Sequence, residues 1–571
     1  HPIEHLMGAA EQAFALTLGS QATSLADAAQ KYRARRGRHP PPGFDAWYAY
    51  AVERDALVVE SFFDQIHDDL EPFWGMDVYT LRRIVGTFSP GITIHDGVVD
   101  SAVKMSYERV QAMVDMLAKL VAEKGVEVPD LHIPVNVNEE VGMLAEWEAV
   151  DTAVQIARPI LTATGEVVSD YAPIEDEEYE DAGFDPEWLD ARLRHTTHAE
   201  YYGPRPFWSL LRPACSPASP ARKEPLVEHS AAALLPLEAP AGDSTFRGYV
   251  MNWSVTEDAC AWPPLQGLHG GFVAPEEMSV TKKLFPLFST SKMGVSNEVL
   301  VPGLVRWNES RSSEVTWEEK QDKLFWRGPA TGGKNSAINW QRFHRHRFVA
   351  MLNATHVEIA EGLLHAGNES MIGLGYARNF RLLPGNDYGL ATQRGGIMAE
   401  WVNSWADAKC TDLHCNVATE GGGCVYTDEY FSVAPASNST VEGRGCKYAA
   451  VIDGNGGDDG GEFIDALRFG RTTLKASIYK KWYDNRLVPW VHFVPIDNTF
   501  VDLYGIMEYF LGTMRDESAE DGHDEAARKI AEGGQAWAAK VLRKEDMFVY
   551  MYRLLLEYAR VVDTRRQRLG W

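Results

Sequence analysis

Apolar positions recur with two different periods along this chain, and the two periods predict alternating strands and helices. Segments 91–95 and 131–137 have the apolar, β-branched character of strands, and Asp96-Gly97 is a turn signal. The helix predicted between them has six apolar residues on one face at 3.6-residue spacing: Val110, Met113, Val114, Leu117, Leu120 and Val121. Strand, helix and strand at this spacing predict a βαβ unit, and hence a parallel sheet.

The second half of the chain repeats this alternation. Strands are predicted at 323–328, 448–452 and 472–478, and a helix at about 336–352 follows the first of them. Helical patterns also open the chain, up to about Arg36 and again over 44–70, and two long helices at about 523–544 and 545–562 close it. Two α/β halves with added helices predict two Rossmann-like domains with a ligand in the cleft between them.

The length supports more than one domain, because 571 residues are too many for a single hydrophobic core. The pattern divides the chain into an N-terminal helical extension (1–84), a first Rossmann-like domain (85–315), a second (316–520) and C-terminal helices (521–571). Hydrophobic residues make up 45% of the chain and charged residues 24%, which is ordinary globular usage.

A formal net charge of −26 argues against nucleic acid and anionic membranes as partners. A phosphate-bearing substrate would need a local basic pocket that works against this field. The chain shows no apolar run long enough to span a bilayer, and it starts at His1 rather than Met. A membrane link is therefore expected only through an N-terminal signal or anchor that has been removed, by processing or by design.

Cysteines and glycosylation signals point to an oxidising compartment. The six cysteines form an even set without any CxxC pair, which favours disulfides over a zinc site but leaves their connectivity open. Five Asn-x-Ser/Thr sequons predict N-glycans, at Asn252, Asn308, Asn353, Asn368 and Asn438.

The first candidate for chemistry is Glu139, with Glu140 beside it, at the end of the strand predicted at 131–137. Ligands of open α/β sheets lie at the carboxyl ends of strands, and a carboxylate placed there can act as a general base. From the pattern alone, two acids that cap a helix or face water are the more common explanation.

The second candidate is the stretch from Trp326 to Lys334, which contains Arg327, Gly328 and a run of small residues. Small residues let backbone amides approach an anion, and a guanidinium binds phosphate with two hydrogen bonds. The stretch is not a P-loop, because the spacing of GxxxxGK[ST] is not met. A tight turn with a surface arginine is an equal alternative.

The third candidate is the glycine-rich turn from Asp453 to Phe463, between a strand and a helix. Such a turn directs helix N-terminal amides at a phosphate, which is the favoured interpretation. A divalent metal at Asp458 and Asp459 and a plain flexible loop stay open as alternatives, although the EF-hand spacing is absent. In contrast, His344-Arg345-His346-Arg347 is best explained as a basic helix face, since adjacent residues point in different directions.

Several stretches together resemble glycosyltransferase family 90, which includes fungal capsule-associated transferases and animal protein O-glucosyltransferases that modify EGF repeats. The similar stretches run from Cys215 to Arg222, Leu284 to Lys292, Lys323 to Gly333 and Tyr448 to Pro495, and their order and spacing are more specific than any one of them. They lie within residues 85–560. The fungal branch is the more similar, on Cys215 to Arg222 and on the Asp-Gly-Asn-Gly turn.

The resemblance implies a GT-B fold, an inverting reaction, an acceptor-side first domain and a UDP-sugar donor held mainly by the second, without an obligatory metal. The family's catalytic aspartate falls on Glu139, and its phosphate-binding arginine falls on Arg327. A second family arginine falls on Glu462, so Lys334, Arg468 or Arg471 has to supply the charge. The implied donor-binding residues are Arg327, Gly328, Asp453, Gly460, Gly461 and Phe463.

The likeness to fungal capsule transferases favours UDP-xylose as donor, a mannose-containing glycan as acceptor and a β-1,2 linkage, with UDP-glucose as the close alternative. It also implies a Golgi-lumenal or secreted protein of the secretory pathway. Two other classes stay open: a carbohydrate-binding protein without catalysis, and a glycoside hydrolase that uses two carboxylates.

Overall fold

The structure is a computed structural model, and it describes residues 1–101, 108–161, 165–173, 186, 206–225, 242–276, 279–303, 315–365, 379–415, 424–435, 443–456, 461–513 and 522–571. Its α-helices, in chain order, are α1 Pro2–Gly19, α2 Leu25–Arg36, α3 Phe44–Glu53, α4 Asp64–Trp74, α5 Val78–Thr87, α6 Glu108–Val121, α7 Trp147–Ile160, α8 Pro206–Leu211, α9 Pro220–Lys223, α10 Trp253–Thr256, α11 Gly270–Val273, α12 His344–Met351, α13 Ala354–His365, α14 Ala391–Arg394, α15 Met398–Trp405, α16 Gly461–Arg468, α17 Leu503–Leu511, α18 Asp524–Val541 and α19 Lys544–Val562. The strands are β1 Gly91–His95, β2 Val98–Ser101, β3 Leu131–Pro134, β4 Thr245–Phe246, β5 Tyr249–Val250, β6 Phe288–Ser289, β7 Lys292–Met293, β8 Val299–Leu300, β9 Gln321–Pro329, β10 Ala406–Asp412, β11 Cys446–Ile452, β12 Thr472–Ala476, β13 Tyr479–Lys480 and β14 Val494–Pro495.

The second half of the chain forms a five-stranded parallel sheet with the order β10-β9-β11-β12-β14. This confirms the α/β prediction and the strands expected at 323–328, 448–452 and 472–478. The carboxyl ends of β9, β11 and β12 therefore lie side by side at one edge, where a doubly wound sheet binds its ligands.

Both faces of this sheet are covered at its centre, where the residues of β11 and β12 are buried almost without interruption. Side chains alternate along β11: Ala449 and Val451 pack into the core that contains Phe463 of α16, whereas Tyr448 and Ile452 pack into the core that contains Phe348 of α12. The sheet is thus held between α16 on one side and α12 on the other, and this fixes the two helices relative to the strand ends.

The first half differs from the prediction. Its first three strands form a sheet with the order β2-β1-β3, and both pairings of that sheet are antiparallel. The predicted parallel βαβ unit is wrong because Asp96 and Gly97, with φ of +48° and +73°, form a tight hairpin turn that leads into β2. Helix α6 connects β2 to β3, so the strands it joins run parallel to each other but are not neighbours.

The terminal helices agree with the prediction. The two closing helices are α18 and α19, and α19 is buried along its length from Asp546 to Val562. It packs back onto the N-terminal helices, where the Trp47 indole donates to the Val549 carbonyl at 3.0 Å. The helix expected over 44–70 is instead split into α3 and α4, because residues 54–59 break it.

Two disulfides, Cys215–Cys260 and Cys415–Cys424, confirm part of the cysteine prediction, and Cys410 and Cys446 are buried thiols. Asn252 is exposed and Asn353 partly so, while the other three sequons lie outside the described residues. Within the described part of the chain, none of the helices has both the length and the apolar character needed to cross a bilayer.

Candidate active site

Asp453 follows β11 directly and ties two strand ends together. Its Oδ1 accepts a hydrogen bond from the Ser477 hydroxyl at 2.8 Å, and its Oδ2 accepts one from the Ile478 backbone N–H at 2.8 Å. The side chain is buried. Because both oxygens are engaged by the segment after β12, the carboxylate fixes the start of the turn that was predicted to bind a phosphate.

The turn after β11 also contacts the loop after β9. The side-chain oxygen of Asn455 accepts from the backbone N–H groups of Gly332 and Gly333, at 2.8 Å and 3.0 Å. Both glycines have positive φ, +107° and +121°, which other residues rarely adopt. The small residues noted in the sequence therefore serve this close packing of two loops.

Arg345 is the guanidinium that lies beneath these loops. It donates to the carbonyls of Pro329 and Asp453, at 2.9 Å and 3.1 Å, and to the Thr331 hydroxyl at 2.9 Å. It also donates to the Ile452 carbonyl at 3.0 Å. These contacts give hydrogen-bond partners to carbonyl groups at the ends of β9 and β11, where pairing with a neighbouring strand has ended. The expected basic helix face is wrong, since all four residues from His344 to Arg347 are buried.

Arg327 lies on the face of β9 opposite to the face that Arg345 contacts. Its guanidinium forms an ion pair with Asp407 of β10 at 2.7 Å and lies over the Phe325 ring at 4.5 Å from the centroid. Gly328, the next residue, has no space for a side chain, because a Cβ would lie 2.8 Å from the Trp326 ring. The donor-binding roles of Arg327 and Gly328 stay predictions, with Arg327 directed along the sheet and not into the turn after β11.

Glu139 reaches the same turn from the first half of the chain. A Cβ built on Gly456 would lie 1.8 Å from the Glu139 carbonyl oxygen, so the two backbones are in direct contact. The Glu139 carboxylate is half exposed, and its Oε1 lies 2.9 Å from Nη2 of Arg109. A carboxylate at this position is accessible to a substrate and stands beside the predicted phosphate turn.

Tyr479 lies close to both the segment that carries Glu139 and the turn after β11. Burial raises its pKa well above the ordinary value, and the negative charges of Glu140 and Asp453 raise it further. The phenol therefore stays protonated at neutral pH and can donate a hydrogen bond within the site.

The next predicted donor-binding residues lie at the start of α16. Phe463 is fully buried, stacked against Tyr483 at 5.9 Å, so only its backbone amide is placed to face a ligand. Gly461 is the first residue of the helix, while Gly460, like Asp458 and Asp459, lies outside the described residues. Glu462 is exposed. The first turn of α16 carries backbone amides that the helix itself does not pair, as at any helix start.

Of the three basic residues that were expected to replace the missing arginine, only Lys334 follows the carboxyl end of a strand. Its backbone N–H donates to the Ala274 carbonyl at 2.7 Å, in the loop after β9. Arg468 donates to the Leu542 carbonyl and Arg471 to the Gly443 carbonyl, and both precede β12. They lie at the opposite end of the sheet, so Lys334 is the candidate that the fold favours.

His269 and His344 approach Asp453 closely enough to suggest a metal. The nearest ligand atoms of the three side chains lie within 4.8 Å of one another. However, Nδ1 of His269 accepts from the Gly271 N–H at 3.1 Å, so the hydrogen of the neutral ring is on Nε2, 3.3 Å from Asp453 Oδ2. A metal ligand has to present a lone pair, and this tautomer presents a hydrogen. The three residues therefore do not fit a divalent cation.

The buried histidines make the fold sensitive to acid. Burial lowers the pKa of His346 to about 3, and it also lowers the pKa values of His67, His344, His356 and His492. Below pH 6.5 the unfolded chain binds protons that the folded chain does not, so stability falls as pH falls from about 6.5 towards 3.

His346→Leu is expected to flatten this dependence, because one histidine contributes about 1.4 kcal/mol per pH unit. Between pH 6.5 and 4.5 the variant should lose about 2.3 kcal/mol less than the wild type, because the unfolded histidine is already half protonated at pH 6.5; urea unfolding at each pH measures the difference. His95→Gln, at an exposed position, is the control. Equal slopes for His346→Leu and the wild type would contradict the neutral buried ring.

Comparisons with known proteins bear on the same region. Residues 468–569 match the sequence model of glycosyl transferase family 90, a range that includes Ser477 and Tyr479. Protein O-glucosyltransferase 2 of Danio rerio is 35% identical over 89 residues, which cover 16% of this chain and 16% of the zebrafish protein. The chain thus aligns with about a sixth of that relative. Together these matches show a likeness to family 90 over part of the chain, and they support the resemblance seen in the sequence.

Proposed function

We propose, from the likeness to family 90, that this protein is an inverting glycosyltransferase that moves a sugar from a UDP-sugar to the hydroxyl of a glycan. The observation that carries the proposal is the contact of the Glu139 backbone with Gly456. This contact brings the half-exposed Glu139 carboxylate, from the first half of the chain, to the turn after β11 in the second half. Such a transfer needs a base for the acceptor hydroxyl and a binding site for the diphosphate, and these two segments are proposed to supply them. A GT-B arrangement of two domains is part of the proposal.

Two chemical roles follow. Glu139 removes the proton from the acceptor hydroxyl as that oxygen attacks the anomeric carbon, and the bond from that carbon to the diphosphate breaks on the opposite face. Amides of the turn after β11 and the first turn of α16, with Lys334, stabilise the leaving diphosphate. Arg345 acts on the diphosphate indirectly, by holding the carbonyls of Ile452 and Asp453 so that the turn keeps its shape.

UDP-xylose is the proposed donor, with a mannose-containing acceptor and a β-1,2 linkage, on the resemblance to the fungal branch. UDP-glucose is the second candidate, and the name of the zebrafish relative, an O-glucosyltransferase, favours it. Two disulfides and the exposed sequon at Asn252 support a lumenal or secreted protein, and the Golgi lumen is the proposed compartment.

Nucleotide binding tests the proposal directly. UDP, UDP-xylose and UDP-glucose should raise the melting temperature, while ADP should not; a ligand at a hundred times its Kd adds about 2.7 kcal/mol. Lys334→Ala should weaken the shift with UDP, whereas Lys323→Ala, near the amino end of β9, should not. Donor hydrolysis and transfer on the same panel, in EDTA, identify the sugar, and activity is expected to persist without added metal.

A different outcome would decide among the alternatives. A glycan that stabilises the protein while UDP does not indicates a carbohydrate-binding protein. Sugar release from a glycoside without nucleotide indicates a hydrolase that uses two carboxylates. Either result would overturn the transferase proposal.

A further inference from the structure

The segment that carries Glu139 has no regular structure, yet its backbone is held firmly from within. The Asn136 side-chain amide donates to the Glu140 carbonyl at 3.0 Å, and its oxygen accepts from the Asn138 N–H at 3.0 Å. These two bonds fold residues 136–140 around the Asn136 side chain. Glu139 lies on the outside of this turn, towards Gly456.

One carboxylate oxygen joins the two ends of the segment. Oε1 of Glu298 accepts from the Asn136 side-chain amide at 2.7 Å and from the Gly142 backbone N–H at 3.1 Å. Oε2 accepts from the Ser296 hydroxyl at 2.6 Å. Glu298 therefore closes residues 136–142 into a loop, with the carboxylate on its inner side.

The loop has little room to shift. A Cβ on Gly142 would lie 2.9 Å from a Leu287 methyl carbon and 3.0 Å from the Asn136 amide nitrogen. On its outer side, the Glu139 carbonyl contacts Gly456. Because packing and the Glu298 carboxylate act from opposite sides, the position of Glu139 depends on both.

Glu298 is itself fixed. It is fully buried next to β8, and the Lys292 ammonium donates to its backbone carbonyl at 3.1 Å. Lys292 is held in turn by an ion pair with Asp69, which also accepts from the Leu300 N–H at 2.8 Å. Burial raises the pKa of the Glu298 carboxyl to about 7, although its hydrogen bonds and Lys292 favour the charged form. Burying a carboxyl is costly unless it is hydrogen-bonded, and Glu298 meets this condition through Asn136, Gly142 and Ser296.

We propose that Glu298 is a positioning residue for the transfer reaction, which acts by clamping residues 136–142 so that the Glu139 carboxylate faces the turn after β11. The inference rests on the proposed function, because the clamp affects turnover only if Glu139 is the base. The proposal predicts a defect in kcat and not in donor binding. The reason is that the Glu298 side chain bonds to residues 136–142, which carry the proposed base, and not to the turn after β11, which is proposed to hold the donor.

The test uses Glu298→Ala and Glu298→Gln in the whole chain. In Glu298→Ala, hydrogen exchange at residues 136–142 should become faster and kcat should fall by about 10²-fold, the usual effect of a misplacement near 1 Å. The donor KM should stay within about two-fold. Glu298→Gln should restore slow exchange and most of kcat, because its amide oxygen can still accept from both ends of the loop.

A matched control is Glu508→Ala. Glu508 also accepts three hydrogen bonds, from the N–H groups of Ala391 and Thr392 and from the Thr392 hydroxyl, but it holds α14. It should speed exchange at 391–394 and leave kcat unchanged. If Glu298→Ala does not fold, Asn136→Ala breaks the same link from the other side and should give the same defect.

The outcomes separate the inference from the proposed function. Unchanged exchange at 136–142, or faster exchange with normal kcat while Glu139→Gln is inactive, overturns the positioning role. If Glu139→Gln is fully active, the proposed base is wrong. Faster exchange in Glu298→Ala would then show that the clamp holds the loop without affecting the reaction, and the positioning role would be overturned as well. A loss in Glu298→Ala that Glu298→Gln repairs, alongside an inactive Glu139→Gln, supports both.

Discussion

Glu139→Gln is expected to lower kcat for sugar transfer by about 10²–10⁴-fold, the usual contribution of a general base. Glutamine has the size of glutamate but cannot accept the proton from the attacking hydroxyl. The turn after β11 and the first turn of α16 are unchanged, so the affinity for UDP should stay within about two-fold. Steady-state kinetics with the preferred donor, together with the melting shift by UDP, measure the two effects separately.

The control for this substitution is Glu148→Gln. Glu148 is also half exposed and paired with an arginine, Arg222, at 2.6 Å, as Glu139 is paired with Arg109 at 2.9 Å. The same change of charge and the same loss of an ion pair should leave kcat unchanged there. Near-normal turnover in Glu139→Gln would remove this residue from the reaction, and another carboxylate would have to act as base.

Glu139→Asp gives a finer test, because the resemblance to family 90 implies an aspartate at the corresponding position. The shorter side chain withdraws the carboxylate by one methylene group, about 1.5 Å, and displacements near 1 Å cost about 10²-fold in rate. A loss smaller than that of Glu139→Gln is expected, since a base is still present. Full activity in the aspartate variant would mean that this loop adjusts to the length of the side chain.

Much of the second half could be predicted from the sequence because its strands are buried on both faces. Continuous apolar runs such as 448–452, followed by a glycine-rich turn, identify the strand and its carboxyl end in one step. Asp453 was found in this way, and it lies where that logic places it. The same logic placed Glu139 after the strand predicted at 131–137, but β3 ends at Pro134 and pairs with β1 in the antiparallel sense.

Other parts could not be predicted because they depend on contacts between distant segments. Asp96-Gly97 signals a turn in sequence, but the strand that follows it, Val98-Val99-Asp100-Ser101, is too short to show the alternation that predicts a hairpin. Arg345 lies in a run of four charged or ionisable residues that resembles a surface. Only the free carbonyls at the ends of β9 and β11 explain why that guanidinium is buried.

The loop clamp at Glu298 shows the same limit. Asn136 was part of the predicted strand end, whereas Glu298 is 162 residues away and stands in an irregular segment without a motif. Nothing in its local sequence distinguishes it from a surface glutamate. Positioning residues of this kind are found through the hydrogen bonds they accept, and those appear only when the fold is known.

Arg553→Met is expected to destabilise the N-terminal helices by about 3–5 kcal/mol, the effect of leaving buried charge uncompensated. Arg553 is fully buried on α19, donates to Glu557 at 3.0 Å and lies 3.6 Å from a Glu60 oxygen. Its guanidinium also stands 4.6 Å from the centroid of the Trp47 ring. Urea unfolding followed by tryptophan fluorescence measures the loss, and Trp47 beside the substitution is one of the 17 tryptophans that contribute to the signal.

The charges determine the size of this effect. Methionine fills most of the space of arginine, but it leaves the carboxyls of Glu60 and Glu557 with less positive charge in a buried site. The pKa of Glu60 is already raised by burial, while Arg553 and its neighbours hold the pKa of Glu557 below its ordinary value. Removing Arg553 should therefore raise both pKa values, and the variant should unfold most easily at high pH, where both carboxyls must be charged.

A second substitution separates lost charge from lost packing. Arg553→Met with Glu557→Gln removes one of the carboxyls that the arginine balanced, so it should recover part of the stability, because an apolar replacement for a whole buried ion pair is often tolerated. Arg528→Met, at an exposed pair with Glu532, is the control and should leave the urea midpoint unchanged. If the double variant is no more stable than Arg553→Met, the aromatic contacts of the guanidinium, and not its charge, hold α19 against the N-terminal helices.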